Sequence, residues 1–380
     1  MKVSLARKSL LYDWRRYLAG VLAVAFSGLL VIVQIALLFG LLHTVTAVVD
    51  HSTADLWVIE ATTQSFDLPR DMPERVEMKL RSEPAVRRVE PLQLSISEWR
   101  TPNGRKVSLL LVGVDCSPAS LGFPRDLPPA FREALRRPGT VVVDQADLRK
   151  LGLEGPQERS AEINGRKMDV VGVATGFRYL GLAIAFVSAA TFYEARVDQG
   201  SGVMDGVSYY LVGLRPGADV EKIRGKLQSS AESLIRVVSP GEFSALSQSY
   251  WLLETGTGAG ILFSTLLGLL VGISITSQTL RSAILSSLRE YATLRALGIP
   301  LTALRAVVLE QSFWIGVVGL AITFVVAGVV FWIAALAQVA IAITWWAVSG
   351  TAVLMLAVSL LSGFLALGSL FKSEPAELLR

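Results

Sequence analysis

The sequence predicts an α-helical membrane protein with four transmembrane helices and one large extracytoplasmic α+β domain between the first helix and the second. Three observations predict it. Hydrophobic residues make up 52% of the 380 residues and charged ones only 18%, against about a quarter charged in a soluble domain. Mean hydropathy is +0.51. Charge-free runs interrupt the chain at three places, and Lys and Arg collect on the short segments between them.

The first run is Tyr17–Val49, between Arg16 and Asp50; the second is Thr255–Leu280; the third is Gln311–Phe371. A span needs about 20 apolar residues, so the first two hold one helix each and the third holds two. The predicted segments are spans at 17–43, 255–280, 311–337 and 342–371, with a turn near Gln338–Thr344 and an aromatic belt at Trp345 and Trp346. A cleaved leader has an apolar core of about 7–15 residues. The first run exceeds that, so it is expected to stay as an anchor.

Orientation follows from the charges. Residues 1–16, 281–310 and 372–380 carry 11 basic and 5 acidic groups, a balance of +6; residues 44–254 hold 25 and 27, or −2. Short positive segments face the cytoplasm, so both termini are expected inside and residues 44–254 outside. The pI of 9.2 is then a matter of topology, and a nucleic-acid partner is not expected.

The external domain reads as mixed α and β. Asp71–Pro84 has helical spacing at Val76, Met78 and Leu80, and VRRVEPLQLSISEW reads as a strand. A turn at Thr101–Gly104 contains Asn-Gly, the strongest short hairpin signal, and leads into Val107–Val114. GTVVV at 139–143, a short helix at 147–151, a second Asn-Gly turn at 164–165 and a strand at 168–175 follow. The closing elements are a strand at 208–214, an amphipathic helix at 218–234 and IRVV. That order suggests two α+β lobes. Leu180–Ala190 is too short to span, and reads as a buried strand or helix; the alternative is an apolar surface that meets lipid or cargo.

Chemistry is mostly missing from the sequence. It has no G-x-x-x-x-G-K-[ST], H-E-x-x-H, C-x-x-C or G-x-S-x-G. Neither catalytic, metal-binding nor cofactor-binding residues are expected. The single Cys116 cannot pair within the chain, and His43 and His51 read as satisfied or solvated side chains. The spans hold no charge in their cores, where ion-coupled transporters place one, so the energy for any work on a cargo is expected from another polypeptide. That energy has a plausible entry point: Ser282–Gly298 (SAILSSLREYATLRALG) is amphipathic and stops at Gly298 and Pro300. It fits a helix that inserts in a partner's groove, or an inert connector on the lipid surface.

REYATLRALG at 289–298 resembles the coupling-helix signature of the FtsX/MacB superfamily of ABC transporter permeases, and the tail PAELLR at 375–380 is similar to that superfamily's ending. The layout of one helix, a large domain and three helices matches too. Within the superfamily the start of the chain and SYYLVGLRPGADVEKIRGKL look most like DevC-type permeases. The resemblance implies a mechanotransmission subunit of the bacterial inner membrane, working as a homodimer. Two copies of a separate ABC ATPase, which bind ATP and Mg, would dock on Arg289, Glu290, Leu294, Arg295, Leu297 and Gly298. For the DevC type it implies a periplasmic membrane-fusion adaptor, an outer-membrane tunnel and export. FtsX-like control of cell-wall hydrolases and LolC/LolE-like lipoprotein extraction are the alternatives.

Two expectations concern geometry. The first run, at about 1.5 Å per residue, is longer than a hydrocarbon core of about 30 Å. Its helix should therefore continue outward as a stalk, with Phe243–Leu253 as a helical approach to the second span. In that span Gly256, Gly260, Ser264, Gly268, Gly272 and Thr276 recur every fourth residue. Such a stripe lets helices approach closely in lipid, either within the chain or, as the resemblance favours for the outer half, across a dimer.

Overall fold

The computed structural model describes residues 12–155, 160–179, 181–197, 206–230, 234–286, 300–337, 339 and 341–370. The chain divides into two units, residues 41–256 and the remainder.

Among the described residues four helices are long and apolar enough to cross a membrane. They are α1 (Trp14–Asp50) and, after the domain elements numbered below, α8 (Thr257–Ser286), α9 (Leu301–Leu336) and α10 (Trp345–Leu370). The gap between α9 and α10 falls at the expected turn. The helices outrun the charge-free segments: α9 starts ten residues before Gln311, after Pro300 in extended conformation, and takes in Arg305 and Glu310. A charge ends an apolar run without ending a helix, because Arg and Glu are good helix formers. α8 and α9 thus both reach into the segment read as 281–310, of which residues 287–299 lie outside the described residues.

Within this unit the helices meet through small residues. A Cβ on Gly319 would lie 2.8 Å from the Val24 side chain and 3.1 Å from the Val21 carbonyl, and one on Gly316 would lie 2.9 Å from Ser359. Hydroxyls bind across the contacts: Ser27 Oγ donates to the Gly268 carbonyl at 2.9 Å and Thr323 Oγ1 to that of Ala25 at 3.2 Å. Between α1 and α8, Gln34 donates to Ser264 Oγ at 2.5 Å and accepts from Thr265 Oγ1 at 2.7 Å. Trp346 packs edge-on against Phe39, ring centres 4.8 Å apart.

The other unit contains β1 (Leu56–Glu60), β2 (Met72–Pro73), α2 (Arg75–Arg81), β3 (Val86–Arg100), β4 (Lys106–Val114), α3 (Pro129–Leu135), β5 (Thr140–Asp144) and α4 (Leu148–Leu151). Then come β6 (Ser160–Ile163), β7 (Arg166–Ala174), β8 (Ala183–Ser188), α5 (Ala189–Val197), β9 (Gly206–Val207), β10 (Tyr209–Leu214), α6 (Val220–Ser230), β11 (Ile235–Val238) and α7 (Pro240–Ser249). Among the described residues nine strands form one sheet in the order β11-β1-β10-β3-β4-β8-β5-β7-β6. The two expected lobes share the long strand β3. Its first half pairs with β10. Its second half pairs with β4, and its last residues also pair with β6, so β3, β4, β8, β5, β7 and β6 close into a ring.

Burial explains the sequence pattern. In β4, β5 and β8 alternate residues enter different clusters: Leu109, Val143 and Ala185 pack in one, Leu110, Val142 and Phe186 in another. Strands buried on both faces read as continuous apolar runs. Hence the apolar segment at 180–190 is, over Ala183–Ser188, a central strand with every residue buried.

The two Asn-Gly pairs make different turns. Asn164 and Gly165 have φ of 51° and 85° between the paired Ile163 and Arg166, a two-residue hairpin that needs positive φ at both positions. Asn103-Gly104 sits inside the wider loop 101–105, closed by the Thr101 amide donating to the Arg105 carbonyl at 2.9 Å. At the end of the sheet Gln228 of α6 serves the β11 backbone. It donates to the Ile235 carbonyl at 2.9 Å and accepts from the Val237 amide at 2.8 Å.

Candidate functional site

The end of α1 builds a connected polar site in the domain. Asp50, its last residue, accepts from Ser244 of α7 and from Thr46 at 2.7 Å. The Arg125 side chain donates to the Asp50 carbonyl, and the Arg125 amide donates to the His51 carbonyl at 3.0 Å. His51 contacts the Ala47 carbonyl through Nδ1 at 2.6 Å and Asp126 through Nε2 at 2.9 Å. It is a satisfied histidine. The Thr53 amide donates to the Leu121 carbonyl at 2.9 Å.

The loop that receives these bonds is fixed from the other side by a buried carboxylate. Glu90 of β3, 2% exposed, accepts from the Leu121 and Gly122 amides at 2.7 and 2.9 Å and from Ser120 Oγ at 2.7 Å. Arg88 pairs with Glu90 at 3.2 Å and with Asp115. A Cβ on Gly122 would lie 2.9 Å from the Leu211 side chain and 3.1 Å from the Glu90 carboxylate, so a side chain here would have to displace one of them. A buried charge held by several donors is costly to break, because the loss leaves it unpaired. The α1 end is therefore hydrogen-bonded to residues 120–126, and these in turn through Glu90 to β3.

α7 is a second attachment. Ser239 and Glu242 form a capping box at its start, the reciprocal bonding that fixes a helix entry. Its Phe243 enters an aromatic cluster with Trp57, Phe66 and Tyr209, ring centres 5.5–6.3 Å apart. Beyond α7 a π-helical turn covers Tyr250–Glu254. The helical approach expected at 243–253 is thus present. Gly256, with φ of 76°, separates it from α8.

The predicted site residues are placed as follows. Arg289, Glu290, Leu294, Arg295, Leu297 and Gly298 lie outside the described residues. Gly256 precedes α8 rather than sitting on its stripe, because a left-handed residue does not continue a right-handed helix. Gly260 has open space where a side chain would start, whereas Gly268 meets Leu30 and Gly272 meets Ser27 of the same chain. With Ser264 bound to Gln34, the middle of the stripe is a seam against α1. Thr276 is fully buried. Sequence reasoning missed Asp50, Glu90, Arg125, Asp126 and Ser244. The one available signal was Asp50, the acid that ends the first charge-free run; nothing in spacing points to the rest.

A long apolar helix that continues into a folded α+β domain, with three further helices long and apolar enough to span among the described residues, fits a membrane-embedded protein with one large domain outside the spans. Residues 19–230 match the MacB-like periplasmic core domain and residues 261–375 the FtsX-like permease C-terminal domain, and the chain belongs to this family of ABC transporter permease subunits. Among solved structures, it is similar to the periplasmic region of MacB from Actinobacillus actinomycetemcomitans, with 10% identity over 52% of this chain and 94% of that one and a TM-score of 0.36. It is similar also to the extracellular domain of the noncanonic ABC-type transporter YknZ from Gram-positive bacteria, with 13% identity over 49% and 99% of the two chains and a TM-score of 0.31. None of the curated proteins matches the chain.

Proposed function

We propose that this chain converts ATP hydrolysis by a separate ABC ATPase into motion of its extracytoplasmic domain, and so drives export together with a periplasmic membrane-fusion adaptor and an outer-membrane tunnel, in the DevC manner. It works as a homodimer in a bacterial inner membrane with both termini cytoplasmic. Each copy docks one ATPase, the holder of ATP and Mg, through Arg289, Glu290, Leu294, Arg295, Leu297 and Gly298.

The observation that carries this reading is the continuity of α1. Its 37 residues form one helix, about 55 Å long at 1.5 Å per residue, against a hydrocarbon core of about 30 Å. Its outer end is bonded to the domain through Asp50, His51 and Thr53. A helix longer than the bilayer and fastened at its far end transmits displacement without a polar path for cargo through the bundle.

The test is purification from native membranes with whatever stays bound. The ATPase and an adaptor are expected together. A cell-wall hydrolase in place of the adaptor would move the chain to the FtsX-like regulatory role, and released lipoprotein to the LolC/LolE-like one. Leu294→Asp should abolish ATPase pull-down and stimulated hydrolysis while the protein still inserts; unchanged values would overturn the docking assignment. Val45→Pro, at a buried position inside α1, removes a helix hydrogen bond at about 3 kcal/mol. It should keep ATPase docking and lose adaptor-dependent activity.

A further inference from the structure

The extracytoplasmic domain holds a cleft of about 480 Å³ between the loop after β1 and the sheet, within the roughly 300–1,000 Å³ of small-molecule sites. Leu68 forms one wall; Leu94 and Ile96 of β3 and Leu110 of β4 form the other. Leu68 and Ile96 are 44% and 59% exposed, so the apolar surface is open to a ligand. Two charged residues line it, Asp67 and Arg70, and they differ in what they have left to offer.

The Asp67 carboxylate is already occupied. It accepts from Ser65, from Trp251 Nε1 at 3.3 Å and from the Tyr179 hydroxyl. Burial, then the Asp67 charge, pushes the Tyr179 hydroxyl far above its usual range, so it remains a donor. Arg70 has no hydrogen-bond or ion-pair partner among the described residues. An apolar cleft whose unspent polar group is a guanidinium complements a ligand with an apolar body and an anionic head, since arginine binds carboxylate and phosphate through paired donors.

From this geometry we infer that the cleft is a binding site for a single-chain anionic amphiphile, with the head on Arg70 and the chain between Leu68 and Ile96. Its volume, in the lower half of the small-molecule range, suits one chain rather than the two of a phospholipid. The loop wall is tied to the segment that leads into α8: the Phe66 amide donates to Ser247 Oγ at 3.0 Å, Trp251 to Asp67, and Gln64 Nε2 to Glu254 at 3.0 Å. The opposite wall belongs to the sheet. Displacement of α7 and the π turn thus changes the width of the cleft, which deepens the transport reading above and rests on it only for this coupling.

The test is photolabelling of the full-length protein in nanodiscs with a diazirine-bearing fatty acid, its alcohol analogue of equal chain length, and a diazirine-bearing phosphatidylglycerol built into the disc. Mass spectrometry should map acid labelling to residues 62–70 and 94–96. Loss of a charge-assisted bond of about 1.5 kcal/mol is about tenfold in affinity, so the alcohol, and the acid on Arg70→Gln, should label about tenfold less. Ile96→Asp should remove labelling by both. Equal acid and alcohol labelling, no change in Arg70→Gln, labelling confined to the spans, or cleft labelling by phosphatidylglycerol instead would each overturn the site. These readouts require no ATPase, so their failure leaves the transport reading intact, and loss of ATPase co-purification leaves the cleft intact.

Discussion

The two units of this chain bury polar groups of different kinds. In the helix unit Ser27, Thr323 and Ser359 donate to backbone carbonyls of neighbouring helices, and Gln34 binds Ser264 and Thr265, all neutral groups. The sheet unit buries acids at Glu90, Asp144 and Asp147, each accepting from backbone amides. Glycines meet side chains closely in both units, and the sheet unit adds a fully buried aromatic cluster. In lipid, hydrophobicity does not drive helices together, so close approach and neutral hydrogen bonds do. In a water-exposed domain large side chains gain from burial, and backbone amides on several sides can hold a carboxylate.

The largest effect should come from the aromatic cluster. Trp57→Ala deletes a fully buried ring that touches Phe66, Tyr209 and Phe243, and such truncations cost about 3–5 kcal/mol. The thermal midpoint of the domain, followed by near-ultraviolet circular dichroism, should fall steeply; a shift of a degree or two would mean that the cluster is not the core.

Next is Asp147, which accepts from the Ile184 amide at 3.2 Å. Burial, aided by the nearby Asp144 charge, raises its pKa from 3.8 to about 6, although the Ile184 bond, Lys150 and Arg178 pull the other way. A buried acid with a raised pKa favours the fold while protonated. Its contribution is present below about pH 4 and is lost as pH rises through 6, a swing on the order of 1–3 kcal/mol. Asp147→Asn keeps an acceptor and no longer titrates. Its thermal midpoint relative to wild type should rise between pH 4 and 7, and a pH-independent difference would show that burial does not strain this carboxylate.

In the bundle, Gly319→Ile should cost about 1–3 kcal/mol through overpacking, because the Val21 carbonyl cannot yield as a side chain can. Gln34→Leu should cost about 1 kcal/mol, the usual size of an interhelical hydrogen bond in membranes. Reversible unfolding in mixed micelles measures both, and Gln34→Leu costing more than Gly319→Ile would invert the comparison. The smallest effect belongs to Gly260, where a methyl group meets nothing within 4 Å. Gly260→Ala should stay within about 0.5 kcal/mol. In cysteine crosslinking with Cys116 removed, Gly260 should join two copies and Gly268, turned to Leu30, should not.

The spans, the insertion point of the domain and most strands were legible because each rests on a local signal: charge-free length, a two-residue period or a Gly turn. The order of the strands was not. β10 inserts between β1 and β3, although its partner Glu90 on β3 lies 121 residues before Leu211, and nothing local records such pairings. The two Asn-Gly turns show the limit at short range, for the same dipeptide closes a tight hairpin at 164–165 and sits within a wider loop at 103–104. Gly268 and Gly272 were legible as packing residues, while their partner on α1 was not, since a stripe states how closely something approaches and not what. The joint at Asp50 was illegible for another reason: Glu90, Leu121 and Arg125 are ordinary residues until the fold brings them to one helix end.

Gln228 carries a consequence for how copies of the chain coexist. A terminal strand with bare amides and carbonyls is a template onto which another chain can add, and a crowded membrane surface would favour such growth. By presenting its own amide group to Ile235 and Val237, Gln228 acts as a one-residue stand-in for a neighbouring strand. β11 is thereby closed to recruitment, and neighbouring copies can lie side by side without stitching their sheets into a filament.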